Sequence, residues 1–365
     1  MQTKAKAKTK TKEKGKAVRL EILFDKSLKL CGLPYRWREL YSKDVYDDVA
    51  VEKDKIIITY SRSSSVGKGR AFNRTRIAYI QSAMLALCSC EAVVDEPRLI
   101  SATYAPNGKR AEDIALPDDL TSLEINWLGT RFPETAVKRS FGDSWLAKSI
   151  RIAISYRWAS LRAFSQEERL KLLWGSFNAL YREYARYKNP GARRLFEQDM
   201  LDYMNNLFLG RNVLNRALRV FDEEIEPLGY KEFVQWRILA GPRCKALFVK
   251  DSGDKTSNQA KRLGLLDKET LMNMRDCGCK DYKTKAELRI AIDGRLKTGV
   301  APANPIRKVS MLLCRYIYIF RCDGVHANTV YPVFKSRGDE ERRVLADLLE
   351  AAVTDLMEWL ADNIA

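Results

Sequence analysis

One histidine, His326, is all that a chain of 365 residues contains. With a single imidazole to join them, the eight cysteines offer two Cys-x-Cys pairs, Cys88/Cys90 and Cys277/Cys279, and no Cys-x-x-Cys. The spacing of a zinc site is missing, so no metal and no cofactor are expected, and the thiols read as the reduced cysteines of a cytoplasm. Long apolar runs are lacking too. None approaches the ~18 residues of a spanning helix, and the lysines at the N-terminus precede no apolar signal-peptide stretch. These absences predict a soluble, cytoplasmic chain without a membrane partner.

Two further motifs are lacking. Ser63-Ser-Ser-Val-Gly-Lys-Gly-Arg70 superficially resembles a phosphate-cradling loop, but Arg62 stands where the first glycine of that loop belongs and Gly69 where its Ser or Thr belongs. A nucleotide-hydrolysing loop is excluded. A basic connection remains, in which Lys68, Arg70 and the nearby Arg74 either touch phosphate or belong to a plain loop. No Ser sits in a Gly-x-Ser-x-Gly context, so the nucleophile elbow of serine hydrolases is absent as well.

Acid is the scarcer charge. Lysine and arginine number 64 against 47 carboxylates, a net charge of +17. Residues 1–16 hold seven lysines and the single Glu13, which accounts for +6 and leaves the body at +11. An excess of this size favours a polyanionic partner such as nucleic acid. Residues 1–16 have no apolar periodicity to bury and are expected to form a disordered basic arm, either a weak phosphate contact or a solubility tail.

The remaining chain is long enough for two domains. Val18–Phe24 alternates and Lys55–Tyr60 is a β-branched run, both strand patterns; Arg98–Tyr104 and Ser122–Trp127 suggest two more strands around the turn at Pro106-Asn-Gly108. With a helix over about 72–87, residues 17–140 read as a small mixed α+β domain. From about Gly142 the period becomes helical. Leu170, Leu173, Trp174, Phe177, Leu180, Tyr181 and Tyr184 recur at three and four, behind the capping box Ser165-Gln-Glu-Glu168. Further helices fit 194–208, 211–224, 308–322 and 339–362, the last with Val344, Leu345, Leu348, Leu349, Val353, Leu356, Met357 and Leu360 on one face. The overall class is α+β: the small domain, then an all-α bundle over 146–365 with a loop or insertion at about 241–283.

The lone histidine closes the run Tyr316-Ile-Tyr-Ile-Phe-Arg-Cys-Asp-Gly-Val-His326. Five residues of ideal helix turn through about 500°, which would leave Arg321 and His326 some 140° apart unless the helix loosens; Gly324 supplies freedom to do so. A guanidinium and an imidazole brought together give a fixed cation and a proton carrier, the two groups needed to cleave RNA without a metal. On spacing alone, ordinary structural roles for both residues stay open.

The segment Leu312–His326, followed by a long amphipathic helix, resembles the HEPN superfamily, whose members carry Arg-x(4–6)-His late in a helical domain. Leu173-Trp-Gly-Ser-Phe-Asn-Ala-Leu-Tyr181 is similar to the Trp/Phe-Asn-x-Leu-Tyr helix of that superfamily. The resemblance covers about residues 146–365. It implies a metal-independent endoribonuclease of toxin or host-defence type, with RNA as partner, a homodimer sharing a composite site and an inhibitory or triggering partner. It also implies roles: Arg321 grips the scissile phosphate, and His326 is the general base or acid while a ribose 2′-hydroxyl attacks, leaving a cyclic phosphate. Asp323 departs from the common pattern; it either orients the imidazole or repels phosphate. Asn178 and Tyr181 are read as packing residues. The alternative within the resemblance is a non-catalytic module that binds nucleic acid, a nucleotide or a protein.

Overall fold

A computed structural model describes residues 16–27, 35–42, 45–62, 99–106, 109–114, 132–191, 195–228, 304–318 and 337–364. The chain divides into two compact units, Met1–Arg151 and Ile152–Ala365. Among the described residues it is a mixed α+β protein with a six-stranded antiparallel sheet and seven helices.

The first unit is built on that sheet. Its strands are β1 (Lys16–Phe24), β2 (Tyr35–Ser42), β3 (Val45–Val51), β4 (Lys55–Arg62), β5 (Leu99–Pro106) and β6 (Glu112–Ile114), in the order β2-β3-β4-β1-β5-β6. The alternation of β1 decides which face is inside. Val18, Leu20, Ile22 and Phe24 are buried, and so are their neighbours Tyr60, Ile58 and Ile56 on β4 and Tyr104 and Ala102 on β5. Val49 and Val51 extend this face through β3. The other face carries charge, with Glu21 between Arg19 and Lys55 and Arg36 on Asp48. Such exposed pairs contribute little to stability.

Three strands differ from the sequence expectation. β2 and β3 were not expected; in β3 the adjacent Asp47 and Asp48 interrupt the apolar alternation, and Asp47 is placed on the buried face. The strand that pairs with β5 is β6, which starts at Glu112, three residues after Lys109, whose N–H donates to Pro106 O at 2.9 Å. Ser122–Trp127 lies outside the described residues, as do the helix expected over 72–87 and the insertion at 241–283. Lys16, assigned to the arm by its composition, opens β1 opposite Arg62.

A short helix, α1 (Glu134–Ser140), follows in the same unit with Ala136 and Val137 buried. Its last carbonyls lack helical partners. The buried Arg151 supplies donors, reaching Ser140 O and, at 2.7 Å, Gly142 O. Phe141, which ends α1, stacks on Tyr35 of β2 with ring centroids 5.7 Å apart.

The second helix, α2 (Trp145–Ser160), begins in the first unit and ends in the second. The second unit continues with α3 (Gln166–Lys188), α4 (Glu197–Gly210), α5 (Asn215–Val220), α6 (Pro305–Met311) and α7 (Arg337–Asn363). Ser165 caps α3, its Oγ accepting from Glu168 N–H at 3.1 Å. Glu168 returns one residue beyond the usual box, accepting from Phe164 N–H at 2.9 Å. All seven apolar residues of the α3 stripe and all eight of the α7 stripe are buried. Arg169 near the start of α3 meets Asp347 and Glu350, while Tyr184 near its end meets Trp359, so the two long helices run side by side in the same direction.

Helices α5 and α6 start from borrowed or local caps. Leu214 gives α5 no side-chain cap; Asp355 of α7 accepts from Arg216 N–H and Ala217 N–H instead, at 2.8 and 3.0 Å. Asn304 Oδ1 caps α6 through Ile306 N–H, and Pro305 fits the first helical position. That pair starts α6 three residues ahead of the expected 308. Both helices then widen into a π turn, Phe221–Ile225 after α5 and Leu312–Tyr316 after α6. No described helix is long and apolar enough to cross a membrane.

Candidate functional site

Arg321, Asp323 and His326 lie outside the described residues, as do Lys68, Arg70 and Arg74. The description of α6 and its continuation ends at Tyr318, three residues before Arg321. That end is the described segment that precedes the candidate motif in sequence.

Two neighbours fix it. Tyr316, 4% exposed, donates its hydroxyl hydrogen bond to Glu341 Oε1 of α7 at 2.6 Å. Tyr318 packs its ring on Trp174 of α3, centroids 6.0 Å apart and planes tilted by 48°. Trp174 heads an aromatic column: Phe177 at 5.4 Å and Tyr181 at 6.0 Å, with Phe177 reaching Phe208 of α4 at 6.4 Å. Each such pair adds about 0.5–1.5 kcal/mol beyond the area it buries. Tyr181 ends the column by donating to Glu197 Oε1 at 2.8 Å. The residues Leu173–Tyr181 and Leu312–Tyr318, 139 positions or so apart, thus share one core.

Within this column two polar atoms go unmatched. Trp174 Nε1, a donor, and Asn178 Oδ1, an acceptor, are buried one helical turn apart and have no hydrogen-bond partner among the described residues. Each such atom costs about 1–3 kcal/mol relative to a satisfied one. The sequence reading took Asn178 for a packing residue. It packs with its amide oxygen unsatisfied, beside the ring that touches Tyr318.

The described helix that precedes Arg321 in sequence widens at its end. The π turn at Leu312–Tyr316 inserts an extra residue into the helical phase of the described helix, ahead of Tyr318. Leu312, Leu313, Cys314, Tyr316 and Ile317 are all buried around it. Widened turns of this kind are frequent at functional sites.

The charged group that sequence reasoning missed is elsewhere in the bundle. Arg157 of α2, with no exposed side-chain surface, meets Glu350 Oε1 at 3.2 Å; Arg169 takes the other oxygen of Glu350 at 2.6 Å and Asp347 at 2.7 Å. Arg343 then joins Asp347 to Glu224 and Glu340. Burial drives Arg157 below the ordinary arginine range despite Glu350. Burial also pushes Glu350 upward, but the Arg157 and Arg169 guanidinium groups outweigh it and hold the carboxyl below the usual glutamate range. Nothing local in the sequence marks residues from three separate helices as partners.

No family model, curated protein sequence or solved structure matches the chain.

Proposed function

We propose that the protein is a metal-independent endoribonuclease of the HEPN type, acting in host defence or as a toxin. The observation that carries this reading is the Trp174–Tyr318 contact. It joins the two segments on which the resemblance rests, the Trp-Gly-Ser-Phe-Asn helix and the helix that leads into Arg321-x4-His326. The π turn ahead of Arg321 and the net charge of +17 support it further.

In this reading Arg321 holds the scissile phosphate and neutralises the charge that builds on its oxygens. His326 takes the proton of the ribose 2′-hydroxyl as that oxygen attacks phosphorus; the bond to the 5′-oxygen breaks, and His326 of a second copy delivers the proton to the departing oxygen. The products are a 2′,3′-cyclic phosphate and a 5′-hydroxyl. Asp323 orients the imidazole. The homodimer supplies both histidines from a chain that has one.

The test is incubation of labelled single-stranded and transfer RNA with the full chain in EDTA, beside the H326A variant. Cleavage that disappears with the imidazole supports the assignment; equal cleavage by both proteins removes it.

A further inference from the structure

We draw no further inference here: the strongest candidate, the buried side-chain cluster of Trp174 Nε1 and Asn178 Oδ1 in the aromatic column of α3, belongs to the candidate site already described.

Discussion

Arg157 and Glu350, 193 positions apart, meet inside the helical unit with the guanidinium fully enclosed and the carboxylate shared with Arg169. A buried pair of this kind costs much desolvation and contributes little net stability while intact, but removing one partner leaves the other charge stranded. Glu350→Gln should therefore destabilise the protein by about 3–5 kcal/mol, read as a lowered guanidinium midpoint.

The same pair sets a pH dependence. Glu350 has its folded pKa held below its unfolded value, so its contribution is fully present above the unfolded value. It is lost as the pH falls through the lowered folded value. Unfolding midpoints should fall on acidification below the usual glutamate range, and the Glu350→Gln variant should show a shallower fall. Equal slopes in both proteins would remove Glu350 as the source.

Ser165 and Glu168 close the first turn of α3 from both sides. Ser165→Ala should cost about 1 kcal/mol, and Ser165→Asp should restore most of it, since aspartate caps equally well and suits the helix dipole. Equilibrium unfolding of the three proteins measures both effects.

Gly175 sits mid-helix where alanine would ordinarily be favoured by about 1 kcal/mol. A Cβ there would lie 2.8 Å from Cδ1 and 2.9 Å from Cε1 of the Tyr156 ring on α2. Gly175→Ala should destabilise the wild type and become stabilising in a Tyr156→Ala background. A double-mutant cycle with no coupling would show that the ring moves aside at no cost.

The helical unit was legible where burial follows a period. The stripes from Leu170 to Tyr184 and from Val344 to Leu360 are inside as their spacing requires, and Ser165 caps as its motif predicts. Legibility ended where the deciding partner is remote. Asp355 caps α5 from another helix, Arg157 finds Glu350 across the bundle, and the π turn at Leu312–Tyr316 follows from packing that local propensity does not encode. In the sheet, β1 was plain from its alternation and β4 from its β-branched run, while Asp47 on the buried face hid β3. Arg321 and His326, which the sequence proposes for the candidate site, lie outside the described residues, and no pattern distinguished Asn178 as a helix residue whose amide oxygen has no partner among the described residues.

The measurement closest to the proposed chemistry is identification of the RNA ends produced in EDTA by the full chain, by R321A and by H326A. A metal-independent ribonuclease acting through Arg321 and His326 leaves 2′,3′-cyclic phosphate and 5′-hydroxyl ends, and neither variant cleaves, with both variants unfolding at the wild-type midpoint. Ends bearing a 3′-hydroxyl, or cyclic ends made equally well without Arg321 and His326, would contradict it.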